Sequence, residues 1–242
     1  MSRNKTRSIV VIPARGASKR FPRKNVAILA GKPLVTYAIG AAKKAATIDG
    51  NYVSTDDIEI ADIARAAGAQ VPYLRPEELA GDQVTADDVV NHLIRHLRTV
   101  EEEPADIVVL IQPTSPFVKA AHIDAAVNML KDCPDLDSVT TMSPVDHRHH
   151  PYNLSFMSES GRWEFCFADE RENARSRQAK PPAQTFCNLF AARTETFLSH
   201  GRFGRTKGCV VVDPLYAWDI DYEWELVLAE TLIERGYVDL EP

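Results

Sequence analysis

No aspartate or glutamate occurs before Asp49, although the same 48 residues carry eleven lysines and arginines. The remainder holds 17 basic against 34 acidic residues, for a net charge of -6 over the whole chain. An acidic total argues against general nucleic-acid binding, which goes with a basic domain. A cationic segment at the amino end of an acidic protein instead indicates one built anion site. Long apolar runs are also missing, and nothing approaches the roughly eighteen residues that a membrane-spanning helix requires. Residues 1–7 are polar and lack the apolar stretch of a signal peptide. The four cysteines, Cys133, Cys166, Cys187 and Cys209, lie far apart without metal-ligand spacing. They read as free thiols of a reducing cytosol, which makes the sequons at Asn4 and Asn153 coincidental. Neither a Walker-type Gly-x-x-x-x-Gly-Lys-Ser/Thr nor a Gly-x-Gly-x-x-Gly follows the first strand. There is no internal repeat.

What is present is an alternation of strand and helix patterns. Residues 8–12 form an unbroken β-branched run, a buried strand. Leu34, Tyr37, Ala38, Ala41, Ala42 and Ala45 then recur at helical spacing. Residues 52–55 read as a strand, and Ile60, Ile63, Ala64 and Ala67 as a helix capped by Thr55 or Asp56. Residues 71–74 read as a third strand, residues 85–99 as a helix and residues 106–111 as a central buried strand. A helix over 120–131 and a strand over 138–142 follow. The pattern predicts an α/β fold with a doubly wound, mainly parallel sheet. Residues 144–183 break it with two alternating segments, 154–157 and 163–167, which read as an inserted β-hairpin arm for dimerisation or site closure. Strands are expected over 186–192, 209–212 and 216–221, before a last helix carrying Trp224, Val227, Leu228 and Leu232. At 242 residues, with 45% hydrophobic and 26% charged, the chain fits a single domain of ordinary globular composition.

The first strand stops at Pro13 and opens into a loop bearing Arg15, Lys19, Arg20, Arg23 and Lys24. Ligands of open α/β sheets bind beyond the carboxyl ends of strands, so this placement favours a ligand site over a plain basic surface loop. Arginine forks and lysine point charges together suit a polyphosphate, while Gly16 and Ser18 supply a close backbone approach and donors. Late in the chain, Asp219 and Asp221 flank Ile220. If that stretch is extended, both carboxylates share a face and need a cation or proton between them. Mg²⁺, bound by one or two carboxylates plus phosphate oxygens, fits beside a triphosphate. The alternative is that Asp221 only caps the last helix. Gln112 ends the central strand in Gln112-Pro113-Thr114-Ser115-Pro116 and could read a pyrimidine edge or a sugar hydroxyl, or simply cap the turn. His147, His149 and His150 beside Asp146 do not have a recognised zinc spacing and read as a solvated loop.

The segment Arg15-Gly16-Ala17-Ser18-Lys19-Arg20-Phe21-Pro22-Arg23-Lys24-Asn25 resembles the signature of the acylneuraminate cytidylyltransferases, the CMP-sialic acid synthetase family, departing only at Ala17 and Phe21. Leu110-Ile111-Gln112-Pro113-Thr114-Ser115-Pro116, Arg75-Pro76-Glu77-Glu78-Leu79-Ala80 and Val53-Ser54-Thr55-Asp56-Asp57 resemble further segments of it. The resemblance spans about residues 8 to 235. It implies a Rossmann-like fold of the nucleotide-diphospho-sugar transferase type, cytoplasmic and homodimeric. It places Arg75 and Thr85 near the cytidine of CTP, with Thr85 equally readable as a helix N-cap, and turns Gln112 to the acceptor sugar. The late Asp-x-Asp, Asp219 and Asp221, would bind the catalytic metal. Arg177-Gln178 resembles the family's Arg-Gln pair, and with Asn188 it would contact the acceptor, but the second arginine expected before Asn188 to grip the acceptor's carboxylate is missing or displaced, which leaves the acceptor open.

The reaction so implied joins a nonulosonic acid of the sialic, legionaminic or pseudaminic kind to CTP. The acceptor's anomeric hydroxyl attacks the α-phosphorus and pyrophosphate leaves, a step that depends on alignment and charge neutralisation. Arg15, Lys19 and Lys24 would hold the triphosphate, with Lys24 stabilising the departing charge. Asn25 would orient the nucleotide, and Asp221 would assist deprotonation of the hydroxyl. A different acidic acceptor, such as another keto-sugar acid or a phosphonate, and a catalytically silent nucleotide-binding regulator are the alternatives. Partners from the nucleic-acid or membrane classes are not expected.

Overall fold

The computed structural model describes residues 6–240. The polar residues 1–5, including the sequon residue Asn4, lie outside the described residues. β1 (Ser8–Pro13) is buried along its length, with Ile9, Val10, Val11 and Ile12 all 0% exposed. Val10 and Ile12 pack into one core, Ile9 and Val11 into another, which explains a run without polar alternation. A 3-10 turn at Lys24–Val26 and a short hairpin, β2 (Ile28–Leu29) with β3 (Lys32–Pro33), lead to α1 (Val35–Lys44). Then come β4 (Gly50–Ser54), α2 (Ile58–Ala66), α3 (Ala86–Thr99), β5 (Ile107–Ile111), α4 (Ala120–Asp132) and β6 (Ser138–Pro144). An arm carries the hairpin β7 (Ser155–Met157) and β8 (Trp163–Phe165), then the short α5 (Ala168–Asn173). β9 (Gln184–Arg193), α6 (Thr194–His200), β10 (Lys207–Val211) and α7 (Glu223–Glu234) complete the chain.

The six-stranded sheet runs β10-β6-β9-β5-β1-β4. β9 is antiparallel to both of its neighbours and every other pairing is parallel. α1, α2 and α4 cover one face with small and branched side chains; α3 and α6 cover the other through Val90, Leu93, Ile94, Leu97 and Phe197. This is the mainly parallel, doubly covered sheet that the alternation predicts. α7 lies apart from both layers. It packs through Ala229, Leu226, Leu232 and Ile233 against Leu29, Leu34, Phe117 and Ile220, while Trp224, Val227 and Leu228 point outward and are exposed.

Three local expectations differ. Residues 71–74 make only isolated bridges, Tyr52 with Gln70 and Thr55 with Leu74. Pro72 has no N–H to give to a ladder, so the segment cannot extend the sheet edge. The cap of α2 is Asp57, whose carboxylate accepts from the Ile60 N–H at 3.1 Å, rather than Thr55 or Asp56. Residues 216–221 are not a strand: Pro214 sets a 3-10 turn through Ala217, and the next residues pair with no neighbouring strand. The alternation survives there nonetheless. Ile220 is 0% exposed and its N–H donates to the Thr114 carbonyl at 2.9 Å, so Asp219 and Asp221 project away from that cluster. The four cysteines are unpaired, as their spacing suggests.

Candidate active site

The carboxyl ends of β1, β4, β5 and β6 share one edge of the sheet, and the first loop crosses it. The Ala14 N–H donates to the Ser54 carbonyl at 3.0 Å, and the Gly16 N–H to Asp56 Oδ1 at 3.0 Å. A Cβ on Gly16 would stand 2.6 Å from Asp57 Oδ2, so only glycine lets the loop lie against the start of α2. The far end of the loop is held by the same aspartate: Arg23, in the left-handed region at φ 59°, binds Asp57 and Glu59. Burial pushes the Asp57 carboxyl up, but the Ile60 N–H and the Arg23 guanidinium outweigh it and hold the group below the usual range.

Between these anchors the cations converge. Arg15 and Lys19 both pair with Asp82, at 3.1 and 2.5 Å, and Lys19 with Arg15 holds that carboxyl below its ordinary range. Gly16, Ser18 and Lys19 line a 390 Å³ hollow that Gly81 and Asp82 close from the other side. Lys24 turns inward, with 13% of its side chain exposed, and sits 2.6 Å from Asp221 Oδ1, while Arg20 reaches Asp221 Oδ2 at 3.4 Å. Asn25 donates to the Arg15 carbonyl at 2.8 Å; its buried Oδ1 has no partner, an acceptor waiting for a hydroxyl or an N–H.

The acid pair approaches from the opposite wall. Glu225 Oε2 accepts from the N–H groups of Asp221 and Tyr222, at 2.6 and 2.9 Å, and so fixes the start of α7 behind the carboxylates. Ser115 Oγ–H donates to Asp219 Oδ1 at 3.3 Å. Asp219 is exposed on one side yet crowded on the others by Thr114, Ser115, Asp221 and Lys24. That crowding, with the Asp221 charge beside it, pushes its carboxyl up against the opposing pull of the Thr114 and Ser115 hydroxyls and Lys24. Two neighbouring carboxylates, one of them raised in part by the charge of the other, are a donor set short of positive charge. They fit a hard divalent ion that takes its remaining ligands from phosphate and water. Among the described residues no cluster of three or more His, Cys, Asp or Glu could hold a metal by itself, and this includes the His147–His149 turn.

Next to the cations, Arg15, Arg75, Thr85 and Gln112 line a second cavity of 200 Å³ with Val84, Val89 and Asp82. Arg75 is 7% exposed. Thr85 lines this cavity and also caps α3: its hydroxyl donates to Asp88 Oδ2 at 2.7 Å and accepts from the Asp88 N–H at 3.2 Å. The two readings of Thr85 are therefore compatible. Gln112 closes β5, its N–H donating to the Asn188 carbonyl at 3.2 Å. Asn188 is 4% exposed, and its amide donates to the Tyr216 carbonyl at 3.2 Å, tying β9 to the turn that leads to Asp219. Arg177 and Gln178 stand apart, exposed on the arm; Arg177 lines a separate 430 Å³ hollow with Asp146, His147 and Lys180. The sheet edge thus brings together Arg15, Gly16, Ser18, Lys19, Lys24, Asn25, Arg75, Thr85, Gln112, Asp219 and Asp221, and leaves Arg177 and Gln178 outside.

A family model described as Cytidylyltransferase matches residues 9–200. The chain belongs to the cytidylyltransferase family. It is 43% identical over 141 residues to the CMP-N,N'-diacetyllegionaminic acid synthase of Legionella pneumophila, covering 57% of this chain and 59% of that protein. It is 34% identical over 232 residues to the N-acylneuraminate cytidylyltransferase of Escherichia coli, covering 96% of this chain and 53% of that protein. The chain thus spans about half the length of the curated relatives it matches. The solved structure of a CMP:2-keto-3-deoxy-manno-octonic acid synthetase complexed with CTP shares the fold, with a TM-score of 0.73 at 17% identity, over 96% of this chain and 100% of that one.

Asp57, Asp82, Ser115 and Glu225 belong to this site without a signal of their own in the sequence, and Asp56, expected as a helix cap, instead accepts from the Gly16 N–H. Asp56, Asp57 and Ser115 stand inside quoted motifs. Asp82 carries no local signal, because its part is defined only by cations 63 or more residues away in the chain.

Proposed function

We propose that the chain transfers CMP from CTP to the anomeric hydroxyl of a nonulosonic acid, releasing pyrophosphate. The observation that carries this reading is the cleft itself: Lys24 and Arg20 of the first loop meet Asp221, while Arg15 and Lys19 of the same loop gather at Asp82, where Arg15 also lines the Arg75 cavity. The triphosphate lies along Gly16, Ser18 and Lys19, and the cytidine enters the cavity lined by Arg75, Thr85 and Gln112. Asn25 Oδ1 accepts from the nucleotide. As the acceptor oxygen bonds to the α-phosphorus, the bond to the β-phosphate oxygen breaks, and the charge that grows there is met by Lys24 and Arg15. The acceptor's hydroxyl proton passes to Asp221. Asp219 and Asp221 would hold Mg²⁺, which supplies charge neutralisation of the phosphate oxygens when bound.

Arg177 and Gln178 on the arm are assigned to the acceptor. Five arm side chains, Leu154, Phe156, Met157, Trp163 and Phe167, are exposed apolar groups, and we infer that a second copy covers them and brings the arm over a site. A cytoplasmic location accords with the unpaired cysteines; no helix among the described residues is long and apolar enough to cross a membrane. A second reading keeps CTP and changes the acceptor to another acid, because Asn188 is engaged by Tyr216 and Arg177 is remote from Gln112.

Pyrophosphate release from CTP and Mg²⁺ against a panel of nonulosonic acids, other keto-sugar acids and phosphonates tests the assignment. Turnover with a nonulosonic acid supports it, turnover only with another acid selects the second reading, and CTP binding without turnover leaves a regulator. Asp82 gives a separate prediction. Its carboxylate neutralises Arg15 and Lys19, so an incoming triphosphate competes with it. Asp82→Asn is expected to tighten CTP binding roughly two- to fivefold, a modest effect because the pairs are exposed. Calorimetric titration at low and high salt measures it. An affinity equal to wild type at low salt would remove the competition.

A further inference from the structure

Behind Arg75 runs a line of polar groups that the reaction described above does not use. Arg75 Nε–H donates to Ser54 Oγ at 3.3 Å, and its Nη2 binds the Ser54 carbonyl. The Ser54 hydroxyl stands against the Tyr73 hydroxyl and pulls its pKa down, as a group donating to it does, and Tyr73 Oη lies 2.7 Å from His92 Nδ1 on α3. The Tyr73 ring also packs edge-on against His92 and tilted against His96, at centroid distances of 5.0 and 4.6 Å.

Donor and acceptor counts give this line a direction. An arginine only donates, so Ser54 Oγ accepts from it and must send its single proton onward. That proton goes to Tyr73 Oη, and the Tyr73 proton goes to His92 Nδ1. The arrangement closes only when His92 is neutral with its hydrogen on Nε2. If His92 gains a proton, Nδ1–H donates to Tyr73 Oη, and the Tyr73 O–H loses its acceptor. One link then breaks beside a buried guanidinium.

We propose that Tyr73 and His92 are positioning residues, which hold Arg75 in its nucleotide-facing pose through a directed relay from Arg75 through Ser54 and Tyr73 to neutral His92. The inference rests on the reading that Arg75 meets CTP. The surroundings of His92 favour the neutral form. Partial burial, His96 and Arg95 on its own helix, and Arg75 from the facing segment lower its pKa, against Glu78 on the turn between them, which raises it. Burial pushes the Tyr73 hydroxyl up to about 12, so it remains a donor at any working pH. The relay is therefore intact at neutral pH and fails as the pH falls through the lowered pKa of His92.

The test is CTP affinity, by calorimetry, for wild type, Tyr73→Phe and His92→Asn across about pH 5.5 to 8, the range in which histidine titrates. Asparagine places an oxygen where Nδ1 stands and accepts from Tyr73 without titrating. Tyr73→Phe is expected to weaken CTP binding about three- to tenfold and to raise KM in step, with kcat within about twofold of wild type. His92→Asn should bind CTP as wild type does at neutral pH and lose part of the weakening on the acid side. The triphosphate's own titration is common to all three proteins, so the difference between profiles belongs to His92. Unchanged CTP affinity in Tyr73→Phe, with only a lower Tm, overturns the relay in favour of plain packing. A wild-type acid limb in His92→Asn overturns its His92 end, and this variant carries the test if Tyr73→Phe does not fold. A wild type that binds no CTP at all overturns the nucleotide reading, and the relay's role with it.

Discussion

Lys24→Met is expected to lower kcat for pyrophosphate release by about a hundred- to a thousandfold. The methionine keeps an unbranched stem in the partly buried channel, so packing changes little and the loss isolates the charge. Lys24 is the most enclosed cation of the first loop and lies between that loop and Asp221. Its ammonium pairs with Asp221, and in the proposed reaction it meets the oxygen that becomes the leaving group. The interaction grows as the bond breaks, so the loss falls mainly on kcat and only secondarily on the affinity for CTP. Initial rates at saturating CTP, set beside titration calorimetry, separate the two. A variant with wild-type kcat and weakened binding would make Lys24 a grip for the ground state alone.

Asp219→Asn should remove at least about a hundredfold of the activity while leaving the fold as stable as before or slightly more so. The carboxyl of Asp219 is pushed up by crowding and by Asp221. A raised folded-state pKa means that the native protein binds this proton more readily than the unfolded chain does. Stability is then lost as the pH rises from the unfolded to the folded value, and above it the charged form is a standing penalty. The asparagine removes that penalty; because one side of Asp219 is open to water, the gain stays below about 1 kcal/mol. Thermal unfolding at neutral pH and at pH 4 reads it, and the difference between variant and wild type should shrink at the acid end. An asparagine variant that is markedly less stable at neutral pH would mean that the carboxylate is held by bonds worth more than the repulsion it suffers.

The parts of this molecule that were readable from the sequence are those whose physics is local. β1 and β5 are unbroken apolar runs because both of their faces are covered, and the cationic loop after β1 needs no distant residue to declare its charge. Asp219 and Asp221 were placed on one side by simple alternation, even though no strand forms there. What was not readable depends on partners far along the chain. Val71 to Leu74 has strand-like side chains, but the proline within it cannot donate to a ladder. Asp82 is an unremarkable loop acid until the fold brings Arg15 and Lys19 against it. Tyr73 looks like a strand aromatic and His92 like one more polar position on a helix. Only the pairing of α3 with the segment before Arg75 sets the two rings together. Arg177 has only its neighbours in the chain to mark it, and the arm that carries it holds it away from the main cleft.

β9 has a consequence for how the chain assembles. It is the sole link between β5 and β6 in the sheet, antiparallel to both, and its residues come 73 positions after the end of β5. β4, β1 and β5 can pair as soon as residue 111 is made, but β6 then lies beside an open edge it never pairs with. The two halves of the sheet close only when residues 184–193 slide between them as a zip, which is a long-range and therefore slow event. Until it happens, the bare edge of β5 and the bare edge of β6 are exposed together, each able to take a strand from another chain. Misassembly during synthesis should therefore concentrate at these two edges, and a chain cut short before residue 184 should aggregate instead of folding to a smaller sheet.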